Sequence, residues 1–220
     1  MDHSDVAKVV EVHLASFPGF FLSQLGPKFL GCLYDGILDD HSGIALVYKQ
    51  NQDVLGFVAG TCEPRGFYGR LVSRRWHRFA LASVGTLVRD PRILSRLLNA
   101  FRKSIGESND EHCGLLMSIA VVPFAQASGI GSTLVGEFLN QCRESGLTSV
   151  HLTTDHSANE VANRFYTKLG FKVSRLFKTP HGRVMNDFRI DFDLPRRTSP
   201  GVGLIEPAAI GVQELSQPPF

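Results

Sequence analysis

Residues Met117–Gly131 read MSIAVVPFAQASGIG, and this stretch decides the fold. It begins with small and β-branched residues typical of a strand, turns at Pro123, and reaches two glycines directly before a helical pattern. The apolar stripe of that helix is formed by Ile130, Leu134, Val135, Phe138, Leu139 and Cys142. A strand that feeds a helix through such a turn leaves several backbone N–H groups without partners, and the helix dipole adds partial positive charge there. The sequence therefore predicts an anion site, most naturally for a phosphate or pyrophosphate.

The residues around the two glycines exclude two common nucleotide-binding motifs. A P-loop requires a lysine after its last glycine, but Gly131 is followed by serine and threonine. A dinucleotide-binding fingerprint requires a third glycine at position 134, which is a leucine. The pattern Gln126-x-x-Gly129-x-Gly131 instead resembles the Q/R-x-x-G-x-G/A signature of the GNAT acetyltransferases, and the resemblance extends to about residue 192.

A second stretch, Ser157–Phe171, carries the same resemblance. It matches the family motif N-x-x-A-x-x-F/L-Y-x-K-x-G-F at Asn159, Ala162, Phe165, Tyr166, Lys168, Gly170 and Phe171. Ser157 and Glu160 have the spacing of a capping box, which predicts a helix start at Ser157. The two motifs follow each other in the order and at the distance expected of the family.

The resemblance implies a site for acetyl-CoA as acyl donor. The central strand, at Val121 and Val122, would lie along the pantetheine arm, and its backbone near Val121 would donate to the thioester oxygen. The turn would hold the pyrophosphate through the backbone N–H groups of Gln126, Ala127, Ser128, Gly129, Ile130 and Gly131, assisted by the hydroxyls of Ser132 and Thr133. Asn159 would contact the pantetheine arm, with Ala162 on the same side of its helix. Tyr166 would lie near the sulfur as the general acid.

The general base is not readable from the pattern. Glu63 and His156 each follow a predicted strand, and Ser118 in the central strand would act through a water. These three residues remain open as alternatives. No cysteine stands at a helix start near a histidine, so the sequence favours direct attack in a ternary complex over an acyl-enzyme.

The expected fold class is α/β (α+β) with the GNAT fold, in which a central mixed, mostly antiparallel sheet is splayed at the cofactor site and flanked by helices. We predict one domain over residues 1–194 and a flexible or loosely docked tail over 195–220. Strands are predicted at 44–49, 54–62, 115–122, 150–154, 171–178 and 184–193. Residues 64–112 form an insertion before the central strand, with helices predicted at 71–88 and 91–103.

The insertion is basic, because Asp90 is the single acid before Glu107 among its many arginines. A solvated basic face is the plainest interpretation. Contact with a phosphorylated acceptor or CoA phosphates is one alternative, and peripheral attachment to an anionic membrane is another that we do not favour. The expected activity is acetyl transfer to a primary amine of a small, anionic acceptor such as an amino sugar. A protein N-terminal or lysine acetyltransferase, a longer-chain acyltransferase and a non-catalytic CoA-binding protein are the alternatives.

Composition indicates the class of protein, its partners and its compartment. Of 220 residues, 43% are hydrophobic and 20% charged, which is typical of a soluble globular protein. The net charge of +2 does not require a nucleic-acid partner. The cysteines, at positions 32, 62, 113 and 142, form no metal or disulfide pattern, and the polar start does not resemble a signal peptide. We therefore expect a cytoplasmic monomer or homodimer without a metal.

Overall fold

The computed structural model describes residues 1–89, 112–157, 159–179 and 182–192. Within these ranges the helices are α1 (Val6–Ser16), α2 (Phe21–Gln24), α3 (Pro27–Asp39), α4 (Phe67–Arg89), α5 (Ile130–Glu144) and α6 (Glu160–Lys168). The strands are β1 (Gly43–Gln50), β2 (Asp53–Thr61), β3 (Cys113–Val121), β4 (Ser149–Asp155), β5 (Lys172–Lys178) and β6 (Val184–Asp191). The predicted helix over 91–103 and the predicted tail over 195–220 lie outside the described residues.

The strands form one mixed sheet in the order β1-β2-β3-β4-β6-β5. Neighbouring strands are antiparallel except β3 and β4, which run parallel. Their pairing covers only Cys113–Leu115 opposite Ser149–His151, so the two strands separate beyond Leu115. The predicted fold class, a mixed and mostly antiparallel sheet that is splayed near its centre, is confirmed.

A β-bulge lies where β3 leaves β4. Ala59 of β2 faces Ser118 and Gly60 faces Leu116, so Met117 is an extra residue on β3. A bulge bends its strand and increases the local twist, and bulges are frequent beside active sites. The bulge therefore helps to separate the outer half of β3 from β4.

Two apolar clusters cover the two faces of the sheet. α1, α3 and the beginning of α4 pack on one face, around Phe29, Tyr34 and Phe57. α5 and the aromatic residues of α6 and β6 pack on the other, around Phe138 and Phe188. Phe57, Val58 and Ala59 of β2 alternate between the clusters, as the period of two in a strand requires. Apolar packing therefore covers both faces of the sheet that contains the splayed region.

α4 is the described part of the basic insertion. It begins four residues before the predicted start at Leu71 and is kinked at Arg75, whose φ is −133°. It packs against α3, to which Arg75 is joined through Asp35 and Asp39. Its outer side exposes Trp76. Among the described residues, no helix combines the length and the apolar character that crossing a membrane requires.

The predicted capping box at Ser157 is wrong. α6 begins at Glu160, and its N-cap residue is Asn159, which makes no side-chain capping bond. The side chain of Asn163 donates to the carbonyl of Asp155 at 3.1 Å and accepts from the Thr154 hydroxyl at 2.6 Å. These bonds tie the end of β4 to the first turn of α6, so the chain bends through Ser157 before the helix starts.

Candidate active site

A cavity of about 810 Å³ lies where β3 and β4 separate. Its walls are the diverging halves of these strands, the turn before α5, and α6. At one end it is closed by residues from α1 to α2, among them Phe17 and Phe20. The volume is typical of a site for a small molecule or cofactor.

The turn before α5 presents unpaired backbone donors to this cavity. None of the N–H groups of residues 127–132 donates to a carbonyl of a described residue, and α5 has no side-chain cap. Ala127 and Gly129 adopt left-handed conformations, with φ of 61° and 90°. For an alanine this conformation costs about 1 kcal/mol, and such strain is frequent at binding sites. Together with the dipole of α5, these donors form a cradle suited to an anion.

Most of the predicted site residues line the cavity. They are Val121, Gln126, Ala127, Gly129, Gly131, Ser132, Asn159, Ala162 and Tyr166. Four others do not line it, namely Val122, Ser128, Ile130 and Thr133.

Each of these four residues is engaged elsewhere, three of them in hydrogen bonds and Ile130 in the apolar core. The N–H of Val122 donates to the carbonyl of Leu55 at 2.9 Å, so this donor is already used. The hydroxyl of Ser128 donates to the Ala125 carbonyl at 2.6 Å, and that of Thr133 to the Gly129 carbonyl at 3.2 Å. Ile130 is part of the apolar core beneath α5. Among the predicted hydroxyl donors, only Ser132 therefore lines the cavity.

A side chain at position 131 should obstruct the cradle. A Cβ atom on Gly131 would lie 3.3 Å from the ring of Phe165, on the cavity side of α5. We expect Gly131→Leu to raise the Kd for CoA about tenfold or more, since about 1.4 kcal/mol corresponds to one factor of ten. Calorimetric titration measures this change. Gly136→Leu is the matched control, because a Cβ on Gly136 has nothing within 4 Å. Equal affinities in the two variants would contradict the assignment.

Tyr166 lies on α6 beside the cavity, and its ring packs against three other aromatic rings. Its ring is 7% exposed and packs against Phe165, Phe171 and Phe188, with centroids 5.2, 5.7 and 5.9 Å away. Burial raises the pKa of Tyr166 well above its ordinary value, so the hydroxyl keeps its proton at neutral pH. No described residue accepts a hydrogen bond from this hydroxyl. It is therefore a protonated donor beside the cavity.

The three candidate bases differ in their position relative to the cavity. The carboxylate of Glu63 binds Arg70 at 3.1 Å and His41 at 3.2 Å, and Glu63 does not line the cavity. His156 does not line it either, and its Nδ1 is hydrogen-bonded to the Asn186 side chain at 2.8 Å. Ser118 does line it, on the separated half of β3. Glu63 follows β2 at the end of the sheet where β3 and β4 are still paired, away from the cavity.

A buried polar chain connects Ser118 to α1. The Tyr34 hydroxyl contacts His13 Nδ1 at 2.7 Å and is also hydrogen-bonded by Ser118. His13 is 2% exposed, lines the cavity, and has its pKa lowered to about 4 by burial. This connection is not predicted from the sequence. The available signal was a histidine in the apolar stripe of α1, where the pattern predicts a valine or leucine.

The charged residues among the described lining neutralise each other. Arg183 binds Asp155 through two hydrogen bonds, and no other described lining residue is an acid, lysine or arginine. No described residue of α4 lines the cavity. Within the same ranges, no group of three or more His, Cys, Asp or Glu side chains is arranged to hold a metal.

Comparison with known proteins gives the same assignment. The model of the Acetyltransferase (GNAT) family matches residues 6–171. Many solved structures share the fold, and three of them serve as examples. The ribosomal-protein-S18-alanine N-acetyltransferase from Escherichia coli is 12% identical, with 90% of this chain and 94% of that one covered and a TM-score of 0.55. Ard1 from Thermoplasma volcanium is 17% identical, with 87% and 93% covered and a TM-score of 0.55.

The third structure shows a cofactor. PaiA N-acetyltransferase from Thermoplasma acidophilum, in complex with coenzyme A, is 14% identical, with 87% and 96% covered and a TM-score of 0.52. No curated protein sequence matches the chain significantly. Because the family model spans most of the chain and the splayed sheet carries the family's turn and tyrosine, the chain belongs to the GNAT family and is an acetyltransferase.

Proposed function

We propose that the protein transfers an acetyl group from acetyl-CoA to a primary amine by direct attack in a ternary complex. The observation that carries this proposal is one cavity with an anion cradle at the turn before α5 and a protonated tyrosine on α6. The cradle suits the pyrophosphate of CoA. The separated half of β3 leaves space for the pantetheine arm between β3 and β4.

The reaction requires stabilisation of charge in two places. As the amine attacks, the thioester oxygen becomes negative, and the β3 backbone near Val121 is our candidate donor. As the C–S bond breaks, the sulfur leaves as a thiolate, and Tyr166 donates its proton to form CoA thiol. Buried donors in a site with little water provide the larger share of such stabilisation.

The amine must lose a proton to form the amide. Ser118 is the remaining candidate from the sequence that lines the cavity, and we propose that it orients a water that relays this proton to bulk solvent, from which the Tyr166 oxygen later regains its own. No described cysteine combines a position at a helix start with a lining role, so the geometry gives no support for an acyl-enzyme.

The described lining favours an uncharged small acceptor over the anionic amino sugar expected from the basic insertion. The lining cation, Arg183, is engaged by Asp155, and α4 contributes no described residue. Protein acceptors remain the second candidate, since the E. coli enzyme of similar fold is named for the alanine of a ribosomal protein. A cytoplasmic location is part of the proposal, and the free thiols of the four cysteines support a reducing compartment.

Two measurements, one of CoA binding and one of turnover, together test the proposed function. We expect calorimetry to show CoA binding, and a thiol-release assay with acetyl-CoA to show turnover on at least one member of a panel of amines, peptides and amino sugars. CoA binding without thiol release on any of them would indicate the non-catalytic alternative. The absence of CoA binding at millimolar concentration would overturn the proposal.

A further inference from the structure

The end of the cavity at α1 contains two buried polar atoms that no described residue satisfies. They are His13 Nε2 and Ser16 Oγ, and both residues line the cavity. Their spacing of three positions puts them on the same face of α1. A buried donor or acceptor without a partner is costly, and it is rare in native proteins. Such a pair at the wall of a binding cavity indicates that a ligand completes the bonding.

The hydrogen bonds of His13 define which proton it presents. Ser118 lies within hydrogen-bonding reach of the Tyr34 hydroxyl, and this contact partly offsets the rise in the pKa of Tyr34 that burial causes. The Tyr34 hydroxyl and His13 Nδ1 are 2.7 Å apart, and we assign Tyr34 as the donor because a phenol O–H is more acidic than a neutral imidazole N–H. The imidazole therefore accepts at Nδ1 and carries its proton on Nε2. Because the ring is neutral, Nε2 is an uncharged donor, which suits an uncharged oxygen.

The surroundings of this polar pair are apolar and aromatic. The Phe17 ring lies 4.9 Å from that of His13, and the Phe20 ring lies 5.4 Å from that of Phe17. Leu22 and Met117 complete this end of the cavity. The wall offers a large apolar contact area, and Phe20, which is 47% exposed, stands at its outer edge.

We infer that α1 forms the acceptor-recognition wall, selecting a primary amine that carries an aromatic or bulky apolar group and an uncharged hydroxyl or carbonyl oxygen. His13 Nε2 and Ser16 Oγ hold that oxygen, and Phe17 and Phe20 pack on the apolar group. The inference rests on the proposed acetyl transfer and narrows its acceptor. His13 and Ser16 are acceptor-binding residues in this assignment and take no part in proton transfer.

Three related amines test the selection in the full-length protein. Phenylalaninol has an aromatic ring and an uncharged oxygen, phenethylamine lacks the oxygen, and phenylalanine has a carboxylate. We expect kcat/KM for phenylalaninol to exceed that for each of the other two about tenfold, as one net hydrogen bond predicts. An amino sugar phosphate is expected to be slower than phenylalaninol. A preference for phenylalanine or for the amino sugar phosphate would overturn the inference.

Substitutions assign the preference to the two residues. We expect Ser16→Ala and His13→Leu to raise the KM for phenylalaninol about tenfold, with the KM for acetyl-CoA unchanged. His13→Gln, which keeps an amide donor near the Nε2 position, should recover part of the loss. Ser23→Ala is the matched control, since the Ser23 hydroxyl is also buried without a partner but lies outside the cavity lining.

The outcomes separate the inference from the function on which it rests. If the protein binds CoA and acetylates other amines while the Ser16 and Ser23 variants behave alike, the recognition wall is wrong and the acetyltransferase remains. If the protein binds CoA but acetylates none of these amines, the inference of an acceptor-recognition wall is also wrong. Failure to bind CoA at all removes the proposed function itself. Ser16→Ala keeps the test valid if His13→Leu does not fold.

Discussion

Tyr166→Phe is expected to lower kcat about 100-fold while leaving the Kd for CoA within a factor of two or three. The phenylalanine ring preserves the packing against Phe165, Phe171 and Phe188, so only the hydroxyl and its proton are lost. Proton transfer to a leaving group by a positioned side chain typically contributes a factor of about 100 or more. Single-turnover measurement of thiol release separates this chemical step from product release.

Tyr48→Phe provides the matched control. Tyr48 lies on β1, is partly exposed and does not line the cavity, so its variant should retain the wild-type kcat. Because burial raises the pKa of Tyr166, the proton is present throughout the neutral range, and the defect of Tyr166→Phe should not depend on pH between about 6 and 8. An unchanged single-turnover rate in Tyr166→Phe would exclude this residue as the general acid.

The sequence predicted the two stretches that line the cavity because each stretch is local. Gln126 to Gly131 occupies consecutive positions, so its turn and the following helix start can be recognised from spacing alone. Tyr166 is placed by the helical repeat relative to Asn159 and Ala162. The structure brings both stretches to the cavity, and it shows that Ile130 and Thr133 face away from it, which the motif alone does not reveal.

The acceptor side could not be predicted in the same way because it is built from distant residues. The chain from His13 through Tyr34 to Ser118 joins α1, α3 and β3, which only the folded sheet brings together. Glu63 is the converse case, a residue that a local pattern suggested but that does not line the cavity. Its position after a strand made it a plausible base, but the antiparallel direction of β2 puts it at the end away from the cavity, beside Arg70. Strand direction, rather than residue type, decides between Glu63 and Ser118.

Arg70→Leu is expected to lower the free energy of unfolding by about 3 kcal/mol at pH 7, because it leaves a buried carboxylate without its main partner. The side chain of Asp40 is 2% exposed, and Arg70 binds its two oxygens at 3.0 and 3.2 Å. This pair joins the beginning of α4 to the segment between α3 and β1. Urea unfolding measures the loss, and Arg74→Leu, a substitution at an exposed position of the same helix, should change stability by less than about 0.5 kcal/mol.

The effect of pH identifies Asp40 as the origin of this loss. Burial raises the pKa of Asp40, but the hydrogen bonds from Arg70 and Ser42 outweigh it and lower the pKa from 3.8 to about 2. In the wild type this lowered pKa gives stability that is present above pH 3.8 and is lost as the pH falls toward 2. Without Arg70 the burial effect raises the pKa, so protonation at low pH relieves the variant. The difference between the wild type and Arg70→Leu should therefore shrink steadily from pH 6 to pH 3.

A double substitution separates the cost of the unpaired charge from the value of the pair. Asp40→Leu/Arg70→Leu removes both charges, so it should recover most of the stability lost in Arg70→Leu at pH 7. Arg70 also binds Glu63 at 3.1 Å, and this exposed contact is expected to add little. If the double variant is as unstable as Arg70→Leu at pH 7, and the loss does not change with pH, then Arg70 stabilises α4 through packing of its side-chain carbons and not through Asp40.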